Sequence, residues 1–236
     1  MNLELRRRLL AEFVGTAFLL AGIVGSGIMA ERLSEDVGVQ LLANALATGG
    51  VLVALILALG SVSGAHFNPV VTAAARAERE IDTRTAIGHV VMQFAGAIVG
   101  VIVANLMFDL PGIEWSDKER SGGHLLLAEV VATLGLVLVI FAVVRSGRTN
   151  VVAFAVAGYI SGAYFFTSST SFANPAVTVA RSMSDTFAGI DPSSVPAFVI
   201  AQVIGAVLAL VLARAMFDDS RSRSVPDLTQ NATETR

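Results

Sequence analysis

The feature that most restricts how this sequence can fold is a recurrence of apolar runs, placed near 8 to 30, 38 to 60, 84 to 108, 123 to 144, 151 to 167 and 194 to 217. A bilayer's hydrocarbon core is about 30 Å thick and a helix rises about 1.5 Å per residue, so roughly 20 apolar residues cross it. Each run is therefore read as a membrane span. With 54% hydrophobic and 15% charged residues and a mean hydropathy of +0.71, the chain does not resemble a soluble domain. It has no Cys, which removes disulfides, thiolate metal sites and thiol nucleophiles. The net charge of −3 gives no support to nucleic-acid binding. Arg6, Arg7 and Arg8 precede an apolar stretch as in a signal peptide, but that stretch is too long and no small-residue cleavage site follows a short core.

Two shorter helical pieces remain, near 68 to 78 and 174 to 185. Each reaches only about halfway across a bilayer and is read as a re-entrant half-helix. Basic residues favour the cytoplasmic side. Placing the N-terminus there assigns 12 of the 16 Lys plus Arg to the cytoplasm and leaves Arg32, Lys118, Arg120 and Arg181 outside, which puts both termini in the cytoplasm. The segment 218 to 236, rich in Ser, Thr, Asp and Arg, is read as a disordered cytoplasmic tail.

Three landmarks recur in order. Ala11-Glu12-Phe13-Val14-Gly15-Thr16 answers Ala128-Glu129-Val130-Val131-Ala132-Thr133; His66-Phe67-Asn68-Pro69-Val70-Val71-Thr72 answers Phe172-Ala173-Asn174-Pro175-Ala176-Val177-Thr178; Gln93 with Gly96 answers Gln202 with Gly205. Each half, about 8 to 108 and 123 to 217, crosses the membrane three times, so the second enters upside down. The expected architecture is an all-α integral membrane domain over 1 to 217: six transmembrane helices and two half-helices in an inverted repeat.

Asn-Pro suits a helix start, because Asn is a strong N-cap and Pro fits the first helical position. Inversion makes both half-helices run outward from the midplane, so their positive N-terminal ends meet there and raise the energy of any cation. Asn68, Pro69 and Val70 would face Asn174, Pro175 and Ala176, with the Asn amides able to donate to a passing hydroxyl. The chain entering each half-helix, Gly64 to Phe67 and Ser171 to Ala173, would be non-helical at membrane depth. That is tolerated where carbonyls line a wet cavity or find protein donors.

With these motifs the chain resembles the aquaporin, or major intrinsic protein, family over about residues 8 to 217. The resemblance implies six tilted helices around one pore per subunit, usually a homotetramer, and Glu12 and Glu129 as buried acceptors for re-entrant backbone N–H groups. A membrane carboxylate is costly and is expected to be paired or functional. His66 would anchor its loop, and Gln93 and Gln202 would bond across closely packed helices. Val70 stands where the family usually has Ala, which would narrow the midplane slightly. The family's outer constriction lies at fixed offsets from the motifs, and counting from Asn68 and Asn174 gives Thr48, Gly162, Ser171 and Val177. Water-selective members resemble an aromatic, His, small and Arg set there, polyol channels two aromatics, Gly and Arg. Here the aromatic bulk and the cation are missing, and Arg181, one turn beyond Val177 on the same face, could partly replace the charge at the pore mouth.

The implied function is a passive channel for small uncharged solutes: polyols, urea and neutral metalloid acids such as arsenous acid, with water left open. The small-residue filter resembles a bacterial branch of the family associated with arsenic-resistance gene clusters. The implied setting is the inner (plasma) membrane, with no cofactor. His89 and His124 are expected to make ordinary hydrogen bonds, and no His/Asp/Glu cluster has metal-ligand spacing. Two other classes use the same features: an ion-coupled transporter with Glu12 as proton site, and an anion pore fed by the two positive helix ends. An enzyme is disfavoured, because no nucleophile, base and orienter can be assembled.

Overall fold

The computed structural model describes residues 3–217, so the expected tail over 218 to 236 lies outside the described residues. Eight α-helices run in the order α1 (Leu3–Leu33), α2 (Val37–Ser63), α3 (Pro69–Ala77), α4 (Thr83–Met107), α5 (Gly123–Arg145), α6 (Val152–Phe166), α7 (Pro175–Arg181) and α8 (Val195–Met216). Six are long and apolar enough to cross a membrane, the fifth and sixth of these spans counting the 3₁₀ turns Thr149–Val151 and Pro192–Ser194 that lead into α6 and α8. Every expected span is found, α1 extending furthest past its expected limits because it begins at Leu3, with Arg6 and Arg7 in helix ahead of the expected start.

The element order repeats as long, long, short, long. In each repeat the first long helix packs most extensively on the last, α1 on α4 and α5 on α8. Glycine permits that approach: a Cβ on Gly96 would collide with the Phe13 carbonyl, and one on Gly205 would lie 2.5 Å from the Val130 carbonyl oxygen. The first helix of the second repeat thus meets its partner as the first helix of the first repeat does. Large side chains such as Phe18, Leu46, Val103, Leu127 and Val211 are exposed on the outer faces, where a bilayer replaces a protein core as the apolar solvent.

The half-helices start as their Asn-Pro pairs dictate. The Asn68 side chain accepts from Val70 N at 3.1 Å; that of Asn174 accepts from Ala176 N at 3.0 Å and Val177 N at 3.3 Å. The second half-helix is shorter than expected, ending at Arg181 instead of 185. The carbonyls of Ser182 and Met183 accept from Ser116 N at 2.9 Å and Glu114 N at 3.1 Å on the extended α4–α5 connection, which pins this stretch to the loop across it. A tertiary contact therefore sets the helix end where local sequence left it open.

Candidate functional site

A cavity of about 270 Å³ runs between the repeats from Glu80, on the side of the chain's N-terminus, to Arg181 on the far side. It passes Asn68 and Asn174, which are buried and both line it. Their amides are cross-wired: Asn68 Nδ2 donates to Ala173 O and Asn174 Nδ2 to Phe67 O, each at 2.8 Å. One N–H of each amide is used in this way, leaving the second for a solute. Pro69, Val70, Pro175 and Ala176 are buried at the junction of the half-helices but do not line the cavity. Val70 consequently does not narrow the passage; Val71, one residue on, faces it.

The two re-entrant loops reach this geometry through the same backbone strain. Ala65 and Phe67 in one, Ser171 and Ala173 in the other, have φ of 50°, 49°, 52° and 48°. These positions stand three and one residues before each Asn, and a non-Gly residue in this region costs about 1–3 kcal/mol. The strain is held by buried carboxylates. Glu12 Oε1 accepts from Ser63 Oγ at 2.6 Å and His66 N at 3.0 Å; its Oε2 accepts from Phe67 N at 2.8 Å and Gln93 Nε2 at 2.7 Å. Glu129 accepts from Phe172 N and Ala173 N, each at 2.9 Å, and from Gln202 Nε2 at 2.6 Å. Each glutamine also donates to a half-helix threonine at 2.8 Å, Gln93 to Thr72 and Gln202 to Thr178. The loop donors His66 N, Phe67 N, Phe172 N and Ala173 N are thereby paired, which is how non-helical backbone is tolerated at membrane depth.

His66 lines the cavity, and its Nδ1 lies 3.1 Å from Thr72 Oγ1. His89 departs from expectation: it is fully buried, neither ring nitrogen has a hydrogen-bond partner, and its ring stands edge-on to His66 with centroids 5.5 Å apart. His124 is exposed at the start of α5. At the N-terminal-side mouth, Glu78 holds Arg145 at 2.5 Å and Arg214 at 2.9 Å. Burial and the neighbouring Glu78 push the Glu80 carboxyl above the ordinary carboxylate range, against the pull of Arg145.

Of the four residues that counting from the two Asn gives for an outer constriction, three line the cavity: Thr48, Ser171 and Val177. Gly162 does not. It is exposed on the outer face of α6, and a Cβ added there would meet nothing within 4 Å. The cavity face of α6 is instead Val152, Val156, Ile160 and Tyr164, one stripe at four-residue spacing from which Gly162 is displaced by about half a turn. That spacing was readable in the sequence; counting from Asn174 crosses the Thr167–Ala173 loop and loses the helical phase. Tyr164 is buried with its hydroxyl 3.1 Å from Thr48 Oγ1, while Ser171 Oγ is buried without a partner. Arg181 also lines the cavity and is only 2% exposed. Phe172, which the sequence did not single out, lines the cavity as well, with the guanidinium groups of Arg181 and Arg120 over its ring. Among the described residues no group of three or more His, Asp and Glu is placed to hold a metal ion.

Comparison with known proteins places this geometry. The profile of the family described as Major intrinsic protein matches residues 1–167 and 145–235. The aquaglyceroporin AqpS of Rhizobium meliloti (strain 1021) is 47% identical over 232 residues, covering 98% of this chain and 97% of that protein. The glycerol uptake facilitator protein-like 6 of Lactiplantibacillus plantarum is 28% identical over 218 residues, 89% of this chain and 98% of its own length. Among solved structures, the aquaglyceroporin from Plasmodium falciparum superposes with a TM-score of 0.65 at 20% identity, covering 92% of this chain and 97% of that one, a likeness of fold.

Proposed function

The chain belongs to the major intrinsic protein family, as a multi-pass membrane protein, and from that premise we propose that it is a passive channel for small uncharged polyhydroxy solutes. Glycerol is the simplest candidate, and neutral metalloid acids such as arsenous acid, a small triol, fit the same chemistry; urea is a weaker candidate, since it carries no hydroxyl. The observation that carries the proposal is the composition of the cavity wall. One cavity has two Asn donors at its centre, apolar side chains such as Leu52, Val71, Ile160 and Val177 along its sides, and Ser171 and Arg181 toward one end. Such a wall gives a hydroxyl-bearing solute a partner at successive points while its carbon skeleton meets apolar surface. An ion finds no equivalent of its hydration shell along the apolar stretches.

Two relatives bear names that refer to glycerol-type transport, aquaglyceroporin and glycerol uptake facilitator protein, which supports the same solute class. The ion-coupled alternative required a free Glu12 as proton site. Both Glu12 oxygens accept two hydrogen bonds each, which favours a fixed structural carboxylate over one that is loaded and unloaded in each cycle. The distribution of basic residues supports both termini on the cytoplasmic side of the inner (plasma) membrane, Glu80 then lying at the inner mouth and Arg181 at the outer. Assembly as a homotetramer, one pore per subunit, is part of the same proposal.

The test is a pair of proteoliposome preparations, wild type and Val177→Arg, compared for glycerol, arsenous acid and water permeability. Filling the cavity wall at Val177 with a guanidinium is expected to cut glycerol and arsenous acid flux at least tenfold and water flux less. Equal permeabilities in the two preparations would remove Val177 from the constriction.

A further inference from the structure

We infer that the cation at the far end of this channel stands one helical turn beyond Val177, at Arg181, where it is held against the Phe172 ring, over which Arg120 also lies. The inference rests on the neutral-solute channel proposed above. Val177 and Arg181 are four residues apart on α7 and both line the cavity, so they occupy one face at successive levels. Val177 supplies no charge. The Arg181 guanidinium carbon lies 3.5 Å from the centroid of the Phe172 ring, and that of Arg120 lies 5.0 Å from the same ring. The ring's quadrupole favours cations over it and so eases the placement of two that would otherwise repel each other.

The stack is itself anchored. Phe172 N donates to Glu129 at 2.9 Å, tying the ring to the carboxylate that holds the loop. Arg181 Nε donates to the Ala188 carbonyl, and Arg120 donates from Nε to Gly189 O at 2.9 Å and from its backbone N to Ser194 Oγ at 3.1 Å. Arg181 closes α7, where a cation suits the helix dipole. Among the described residues neither guanidinium has a carboxylate within 4.0 Å, so neither forms an ion pair. The acids of this region are committed elsewhere: Glu129 to the loop, Asp185 to Ser116 Oγ and Asp117 N, and Glu31 to Phe187 N.

Only Nε of Arg181 has a protein acceptor among the described residues, which leaves its terminal N–H groups for the cavity. The same cavity is lined by Ser171, whose hydroxyl has no protein partner, and by the Thr48–Tyr164 hydroxyl pair. Guanidinium donors and hydroxyls that both donate and accept form a binding site for a neutral polyol or hydroxy acid. A hydrated proton or metal cation entering the same site meets a guanidinium that no carboxylate contacts, with a second guanidinium near the same ring. This is how a chain with Val at position 177 excludes cations.

The experiment measures proton leak in proteoliposomes under a potassium–valinomycin clamp, with glycerol flux in the same vesicles certifying an open pore. Arg181→Met is expected to raise proton leak at least tenfold, Arg181→Lys to stay near wild type, and Val177→Arg added to Arg181→Met to lower the leak again. A leak in Arg181→Met as low as wild type, with glycerol flux present, overturns the assignment. Should Arg181→Met not fold, the absence of native Cys allows a second route, Ser171→Cys with arginine 181 intact. An anionic methanethiosulfonate is expected to label it at least tenfold faster than a cationic one, and equal or reversed rates overturn the assignment. Failure of the channel proposal is distinct: wild-type glycerol flux would then not exceed that of empty liposomes.

Discussion

The two repeats share a scaffold and part company where solutes are chosen. Both fix a strained loop with one buried glutamate, brace it with one glutamine, and join each glutamine to a threonine four residues after the Asn. Two residues before the Asn, however, His66 of the first repeat lies at hydrogen-bond distance from Thr72, whereas Phe172 of the second has no polar atom in its ring and stacks on Arg181 and Arg120. Three residues after the Asn both repeats carry valine, Val71 and Val177; seven after, the first has Ala75 and the second Arg181. All four line the cavity. The duplicated positions make a pore possible, and the unmatched ones give its two mouths different chemistry.

The largest expected effect comes from breaking what the repeats share. Glu129→Ala leaves the buried Phe172 and Ala173 N–H groups and the Gln202 amide short of acceptors, each costing about 1–3 kcal/mol. Glu12→Ala strands four donors and is expected to be at least as damaging. Thermal unfolding in detergent should show both variants well below wild type; a wild-type transition in either would mean that its loop is held by something else.

Next in size is packing between the first and last helices of each repeat. Gly205→Val would drive methyl groups against the Val130 carbonyl and is expected to cost about 1–3 kcal/mol, with a matching loss for Gly96→Val. Gly162→Ala adds its methyl group where nothing lies within 4 Å and should leave glycerol flux unaltered, while Tyr164→Ala opens the constriction. Side-by-side flux assays decide between these α6 faces: reduced transport in Gly162→Ala with none of the expected gain in Tyr164→Ala would restore the counted position.

A smaller change makes the repeats alike. Phe172→His gives the second loop the ring of the first and weakens the stack on Arg181 by about 0.5–2 kcal/mol. Its mark is a proton leak raised above wild type but below that of Arg181→Met, and a leak as high as the latter would mean that Phe172 does more than position the guanidinium.

The smallest effect concerns the caps before the last helix of each repeat. Asp82 bonds the hydroxyl and N–H of Thr85, and Asp191 those of Ser193, which hold both carboxyls below the ordinary Asp range. A depressed carboxyl contributes stability that is complete above its unfolded pKa and is lost as pH falls through the folded one. Unfolding followed from pH 6 downward should therefore be slightly less acid-sensitive in Asp82→Asn and Asp191→Asn, from a lower starting stability. Identical pH profiles would show that these caps do not couple to folding.

Legibility in the sequence followed the cost of each feature. A carboxylate or Asn-Pro inside an apolar run is expensive or conformationally exacting, so Glu12, Glu129, Asn68 and Asn174 stand out as residues with something to hold. The spans were legible for the same reason, since lipid imposes their length. Features set by long-range contact were not. Gly162 was reached by counting across a loop whose length is unconstrained, and the end of α7 is fixed by Glu114 and Ser116 from another segment. Phe172 read as one more apolar residue, because only the fold brings Arg120 and Arg181 to its ring.

The most direct test of the central proposal is stopped-flow glycerol uptake into proteoliposomes of the purified wild-type protein, as a function of glycerol concentration and with or without an imposed proton gradient. A passive neutral-solute channel predicts uptake well above empty liposomes, linear in concentration and indifferent to the gradient. Uptake that saturates and follows the proton gradient would make the protein a coupled transporter and contradict the account.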